Sequence, residues 1–385
     1  MEAVIIDAVR TPLGRRNGGL SGVHPADLSA TVLRALAERT GLDPAKVDDV
    51  VWGCVSQTGE QGVNVGRNGV LAAGWPVEVP ATTVDRQCGS SQQAAHFAAA
   101  GVIAGQYDVV VAGGVESMSR VPMLCTVSQG PGEPFSPAIA ERLGTGFPNQ
   151  GVSAEIIARK WGLSREELDR IALQSHQRAA AAADSGAFEE EIVPVTTDVD
   201  GEKVVISADE GIRRSTSPEA LAGLRPAFED DGVVTAGNSS QISDGASAVL
   251  IASTEAAERL GLSPIARFHS FALAGVDPIE MLTGPIPATA KLVERSGVSL
   301  DQIDAFEVNE AFASVIAAWL AETGADESKV NPNGGAIALG HPLGGSGARL
   351  LTTLVHHLRR TGGRYGLQTM CEGGGMANAT LIEML

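Results

Sequence analysis

One α/β unit is written twice along this chain. A helical pattern over 27–39 runs into GLDPAKVDDVVWG at 41–53, and a second over 288–295 runs into GVSLDQIDAFEVN at 297–309. Each copy reads as a helix, a glycine stop, an acidic turn and an apolar strand. Farther on, CGSSQQAAHFAAAGVIAGQ from Cys88 leads to the strand YDVVVAGG at 107–114, and GGSGARLLTTLVHHLRRTGG from Gly344 leads to YGLQTMCEGGG at 365–375. Tyr107 lies 66 residues after Gly41 and Tyr365 lies 68 after Gly297, so the copies keep near register. Such a separation, held through helices and strands alike, implies duplication of a whole α/β half.

The strands are apolar with little polar alternation, as in sheets that helices cover on both faces. The helices after Cys88 and Gly345 carry Ala and Gly on all sides, which suits helices buried at the centre. The predicted fold class is therefore α/β, with these two helices between two sheets, one from each half. Residues 119–225 have no counterpart in the second half. They hold a Gly/Pro-rich loop at 129–148 and an amphipathic helix pattern opening on Ser164, with Glu167 as its capping-box partner and Gly186 as its stop. The expected division is a first half at 1–119 with about 236–263, an inserted loop domain at about 120–235, and a second half at about 264–385.

A formal charge of −18 repels nucleic acid and anionic membranes, so neither is an expected partner. An anionic ligand would need a local island of Arg or Lys. Aromatics at 4% and 46 glycines favour close Ala/Gly/Val packing over an aromatic ligand cage. The scattered cysteines Cys54, Cys88, Cys125 and Cys371 form no CxxC pair and read as free thiols. The longest apolar runs, such as 107–112 and 314–320, are too short to span a bilayer, and the first residues read as a strand at 3–6, not a secretion signal. A cytoplasmic protein is expected.

Four positions carry chemistry. Cys88 follows the strand-like TTV and a short turn, with a helix starting at or just after it, where free N–H groups and the helix dipole favour a thiolate. The same place also suits a small buried cysteine at a crowded helix end. His341 lies in NPNGGAIALGHPLGGSGARLL, and the repeat brings this loop toward Cys88, the pairing an activated thiol needs. Cys371 ends the strand LQTMC before EGGGMAN, as a second thiol able to shuttle a proton beside glycine amides, or as a plain strand-end cysteine. Asn309 opens NEAFASVIAAW and is equally suited to a helix N-cap. No Cys/His pair has metal-ligand spacing, so no metal is expected, and the glycine runs at 344–347 and 373–375 match neither a P-loop nor a GxGxxG fingerprint.

Taken together, DRQCGSSQQA, TAGNSSQISDGASAVL, VNEAFASV, NPNGGAIALGHPLGGSGARLL and CEGGGMANATLIE resemble the thiolase family, in the family's order and over essentially the whole chain. The resemblance implies a thiolase-like five-layered αβαβα fold with an inserted loop domain. It further implies a 3-ketoacyl-CoA thiolase (acetyl-CoA C-acyltransferase) acting by ping-pong acyl transfer in fatty-acid or sterol side-chain β-oxidation. Cys88 matches the nucleophile and Cys371 the acid/base cysteine. His341 with a water held by Asn309 would form one oxyanion hole, and the amides of Cys88 and Gly373 the other. Coenzyme A enters as co-substrate with no permanently bound cofactor. Arg213, Phe228, Ala236, Ser240, Ile242, Met281 and Phe312 fall where the family contacts coenzyme A and the acyl channel, although Phe228 and Ile242 also suit an ordinary core. Family members form homodimers or homotetramers.

Three positions depart from the family pattern. Short-chain biosynthetic members carry His-Met where Asn149 and Gln150 stand, which leaves room for a longer or bulkier acyl chain. Ala220 replaces a serine that some members place near coenzyme A. Glu372 follows Cys371 where an apolar residue is common; strand alternation points it away from Cys371, and an inward turn would raise that thiol's pKa. The competing readings are a biosynthetic acetoacetyl-CoA thiolase, a ketoacyl synthase, which the second cysteine opposes, and a non-catalytic lipid-binding or scaffold protein on a thiolase fold.

Overall fold

The computed structural model describes residues 1–144, 149–199 and 201–385. Twelve strands run through the described residues: β1 (Ala3–Arg10), β2 (Gly14–Arg15), β3 (Asp49–Gly53), β4 (Ala81–Val84), β5 (Val109–Ser117), β6 (Val195–Val199), β7 (Glu202–Ile206), β8 (Ser243–Ser253), β9 (Ala266–Gly275), β10 (Ala305–Val308), β11 (Tyr365–Glu372) and β12 (Met376–Met384). The helical patterns at 27–39 and 288–295 extend slightly, to Pro25–Thr40 and Pro285–Ser296, and the glycines Gly41 and Gly297 end both in the left-handed conformation.

The duplication is visible in the strand order. One half-sheet reads β4-β3-β5-β8-β1 and the other β9-β12-β11-β10. Within each, one equivalent pair is parallel (β3 with β5, β10 with β11) and the next pairs are antiparallel (β5 with β8 and β8 with β1; β11 with β12 and β12 with β9). Even the parallel edge strand β4 has a trace in the second half, a parallel bridge from Phe306 to Val330. The half-sheets are continuous along one side, because β1 pairs with β9 at Val4–Arg267 and Ile5–Ala266.

Both faces of these strands are covered, which explains their unbroken apolar character. Along β3, Val50 and Trp52 face the outer helices Pro25–Thr40 and Val65–Ala72, while Val51 faces inward. The inner cluster joins Val51, Val110 and Val249 of the first half to Ala305 and Ile382 of the second, around Ala94–Val102 of helix Ser90–Ile103 and Ala348–Leu358 of helix Leu343–Thr361. The outer face of the second half packs on Pro285–Ser296 and Ala313–Thr323. The result is five layers, with two helices in the middle, as the duplicated sequence predicts.

Close approach at the centre depends on glycine. A β-carbon on Gly53 would strike the backbone of Ser91 and lie 2.7 Å from the Gly344 carbonyl oxygen, so the leading ends of both central helices rest on β3. Polar ties cross between halves as well: Gln92 Nε2 donates to Thr380 Oγ1 at 2.7 Å, and the Ala348 N–H donates to Ser91 Oγ at 2.9 Å.

The sequence between β5 and β8 supplies short helices, the hairpin β6–β7, and the helices Gln150–Trp161 and Arg165–Asp184 against the second half. Ser164 caps the latter by accepting from the Glu167 N–H, and Gly186 follows with φ 74°. The predicted Gly/Pro loop contains a helix at Pro137–Leu143, and its residues 145–148 lie outside the described residues. No helix of the described residues is long and apolar enough to cross a membrane.

Candidate active site

Cys88 sits where β4 gives way to a central helix. The turn between them is tightly tied: the Gln87 N–H donates to Asp85 Oδ1 at 2.7 Å, the Arg86 N–H donates to Ser90 Oγ at 2.9 Å, and Ser90 Oγ donates to the Gln87 carbonyl at 2.6 Å. Gln87 takes a left-handed φ of 49°, and Gly89 is the N-cap of the helix that starts at Ser90. The thiol is 5% exposed, in a small cluster with Met118, Leu343 and Met370, with Ile242 alongside.

The second half delivers the other groups to the same place. Cys371 is fully buried near the end of β11, and its thiol is pushed well above the ordinary range, by burial first and by Cys88 next. The backbone N–H groups of Gly373 and of Cys88 itself favour the ionised form of the Cys88 sulfur. Leu343 of the Cys88 cluster stands two residues past His341, which is 4% exposed. The His341 N–H donates to the Gln241 carbonyl and to Ser243 Oγ, both at 3.1 Å. Its ring meets Ser346 Oγ through Nδ1 at 2.6 Å and Asn309 Nδ2 through Nε2 at 3.4 Å. Asn309 caps nothing: the following helix begins at Ala313 with Phe312 as N-cap, which frees the amide to face the imidazole.

The electrostatics overturn one expectation. The helix start does not make Cys88 a ready thiolate; burial, reinforced by Glu372 and Glu116, pushes its thiol up to about 12 against the two N–H contacts that lower it. Burial also pulls His341 down to about 3, with Arg349 adding repulsion, so its imidazole is neutral at physiological pH.

Two groups at the site had no assigned part in the sequence reading. Glu116, near the end of β5, accepts from the N–H groups of Val55 (3.0 Å), Ser56 (3.0 Å) and Gly344 (2.8 Å) and from Gln61 Nε2 (2.7 Å), fixing the central helix start beside His341. A lone acid in the otherwise apolar run VVVAGGVES was the available signal. Ser346, hidden among glycines, carried none.

The residues expected around coenzyme A are divided between an open cleft, neighbouring loops and the second-half core. Arg213 and Ala220, with Arg214, Ser215 and Thr216, line an open cleft of about 490 Å³. Gln241 ties that loop to the His341 loop, its Nε2 donating to the carbonyls of Gly211 (2.9 Å) and Ile337 (2.8 Å). Phe228 packs edge-on against Phe312 with ring centroids 5.9 Å apart, and the Ser240 N–H donates to the Ala311 carbonyl at 2.9 Å. Ile242 reaches the Cys88 cluster, Met281 and Phe312 share the core that holds Cys371, and Ala236 is exposed on its turn. A second cleft, about 400 Å³, lies between Ile139, Leu143, Pro278 and Gly374, beside the Gly373 turn. The Gln150 amide also comes up to that turn, within 3.4 Å of where a β-carbon on Gly373 would stand. Among the described residues no cluster of three His, Cys, Asp or Glu could hold a metal ion.

Comparison with known proteins agrees with this geometry. The family model of the thiolase N-terminal domain matches residues 3–255, and that of the thiolase C-terminal domain matches 262–384. The chain is 53% identical to a steroid 3-ketoacyl-CoA thiolase of Mycobacterium tuberculosis, over 100% of this chain and 94% of that protein. It is 45% identical to a 3-ketoacyl-CoA thiolase of Bacillus subtilis, over 100% and 99% respectively. The crystal structure of the Bacillus anthracis acetyl-CoA acetyltransferase superposes with a TM-score of 0.93 at 40% identity, covering 100% of this chain and 99% of that one. The chain belongs to the thiolase family of acyltransferases.

Proposed function

We propose that the protein is a degradative 3-ketoacyl-CoA thiolase in which Cys88 is the nucleophile. His341 Nε2 takes the thiol proton as the Cys88 sulfur attacks the 3-keto carbon. The C2–C3 bond breaks, leaving the shortened acyl group as a thioester on Cys88. The departing acetyl-CoA enolate takes the proton of Cys371, and the Cys371 thiolate then accepts the thiol proton of a second coenzyme A. The coenzyme A thiolate attacks the acyl-Cys88 carbonyl and leaves as the shortened acyl-CoA, while the expelled Cys88 thiolate takes back the proton that His341 held. The amides of Cys88 and Gly373 receive one developing oxyanion; His341 with a water held by Asn309 receives the other. The observation that supports this reading is the nearness of the Cys371 thiol to Cys88, with Leu343, two residues past His341, in the Cys88 cluster and the His341 ring against the Asn309 amide.

Arg213 is assigned to the phosphates of coenzyme A, with Phe228, Ala236, Ser240, Ile242, Met281 and Phe312 along its groove and the acyl channel. The inserted domain at about 120–235 is the coenzyme A-binding part, between halves at 1–119 with about 236–263 and at about 264–385. Gln150 at the Gly373 turn supports an acyl group longer or bulkier than acetoacetyl, within fatty-acid or sterol side-chain β-oxidation. The second reading, a biosynthetic acetoacetyl-CoA thiolase, draws on the likeness to the Bacillus anthracis acetyltransferase. Exposed Val63, Val77 and Phe97, together with the sheet-edge position of β4, support a homodimer or homotetramer, which we assign to the cytoplasm.

Mixing the protein with acetyl-CoA and mapping adducts by mass spectrometry tests the chemistry. An acetyl group on Cys88 is expected, and its absence overturns the reading. A panel of 3-ketoacyl-CoA substrates separates the two thiolase readings, since a strong preference for the four-carbon member favours the biosynthetic one.

A further inference from the structure

The thiolase steps leave Glu372 without a task. It follows Cys371 on β11, yet strand alternation turns it to the opposite face. Leu367 and Cys371 pack into the outer core, whereas Glu372 faces the central helices, as the sequence predicts. There its carboxyl presses on the backbone of Gly89, so closely that a β-carbon on that glycine would collide with Glu372 Oε1, and the Asn378 amide lies against the same point. Gly89 directly follows Cys88 and is the N-cap of the 14-residue helix Ser90–Ile103, which no side chain caps. Glu372 is wholly buried, and among the described residues neither of its oxygens has a hydrogen-bond partner. An unpartnered buried carboxyl is costly, so stability does not explain its presence.

The charged and titratable groups facing it come from several elements. Arg86 and Asp85 lie on the turn before Cys88, and Cys88 and Cys371 both feel its charge. Burial pushes the Glu372 carboxyl up to about 8; Arg86 works against that rise and Asp85 with it. Glu116 adds a second negative influence on Cys88 from β5.

We propose that Glu372 is a positioning residue that sets the reactivity of Cys88. Its carboxylate and the Cys88 thiolate compete for one helix N-terminus, so each suppresses the ionisation of the other and the resting thiol is held neutral. Two anions this close in a dry site do not ionise independently, and the pair titrates in two shared steps. The proposal rests on the thiolase reading, in which Cys88 must attack.

The test follows alkylation of Cys88 by iodoacetamide against pH, resolved to the residue by mass spectrometry, in the wild type, Glu372→Gln and Glu372→Met. Near-UV circular dichroism establishes that each variant is folded. Both variants should lack the upper step, giving roughly tenfold faster alkylation than the wild type at about pH 9.5 and near-equal rates below about pH 7, where the wild-type carboxyl is already protonated. The wild type should rise in two steps. A single-step wild-type profile overturns the proposal without any variant, and so do folded variants with the wild-type pH dependence. In either case an acetyl adduct on wild-type Cys88 leaves the thiolase reading standing, whereas no adduct at all removes that reading instead.

Discussion

His341 Nδ1 lies 2.6 Å from Ser346 Oγ, and Ser346 Oγ donates its own proton to the Pro342 carbonyl at 2.8 Å. The serine therefore has only lone pairs left for the ring, so Nδ1 carries the hydrogen and Nε2 the free pair. Asn309 Nδ2 donates toward that pair. A neutral imidazole with its basic nitrogen turned to the seam is the form a general base requires.

Ser346→Ala should release this tautomer. We expect kcat/KM for thiolysis to fall roughly ten- to a hundredfold, as when an orienting partner of a functional imidazole is lost, with the melting temperature nearly unchanged. Steady-state kinetics beside a thermal melt check it; unaltered kinetics would show that the relay orients nothing of consequence.

The two thiols should separate by assay. Cys88→Ser should form no acetyl adduct from acetyl-CoA. Cys371→Ser should still acylate Cys88 but lose thiolytic cleavage by roughly a hundred- to ten-thousandfold, the range for removing a general acid or base. Equal loss of adduct in both variants would contradict the division of labour.

Stability should fall as pH rises through neutrality. Glu307 and Glu372 are each held up to about 8 by burial, against an ordinary value of 4.5. Between those limits the folded chain keeps protons that the unfolded chain releases, so unfolding free energy decreases with pH, on the order of a few kcal/mol in all. Glu307 is partly relieved by Arg349, whose NH1 lies 3.6 Å away. Thermal melts at pH 6 and pH 8.5 should show the lower midpoint at pH 8.5, and Glu372→Gln should narrow the gap. A gap that Glu372→Gln leaves intact would assign the effect elsewhere.

Arg213→Ala should act on coenzyme A binding alone. Among the described residues no group of the catalytic seam has a hydrogen bond to its guanidinium; the backbone N–H of Arg213 donates to His176 Nδ1 at 3.1 Å. KM for coenzyme A should rise about tenfold with kcat almost constant, and the difference should shrink at high ionic strength. A fall in kcat at saturating coenzyme A would place Arg213 in the chemistry.

Much of this was legible in the sequence. The repeated helix, glycine and strand order translates directly into matching half-sheets, because equivalent segments of the two copies take equivalent places in the sheet. Part of the site follows for the same reason: Cys88 stands just before the central helix of the first half, and the His341 loop stands just before its counterpart in the second. What escaped depends on three-dimensional surroundings. The helix start before Ser90 suggested an acidic thiol, yet desolvation from both halves outweighs two N–H groups. The pairing of β1 with β9 joins residues 4 and 267, a register that no local pattern encodes. Glu116 and Ser346 act through hydrogen bonds to backbone 60 or more residues away or to a loop they follow, so their roles emerge only once the chain has closed.

The place of β12 between β9 and β11 carries a last consequence. That strand is the wedge that seats the Cys371 strand against its own half. β10 pairs with β11 only as far as Thr369, so among the described residues Cys371 and Glu372 are kept in register by their pairing with Ala377 and Met376. The place of the second thiol is thus set by a neighbouring strand that carries no chemistry of its own.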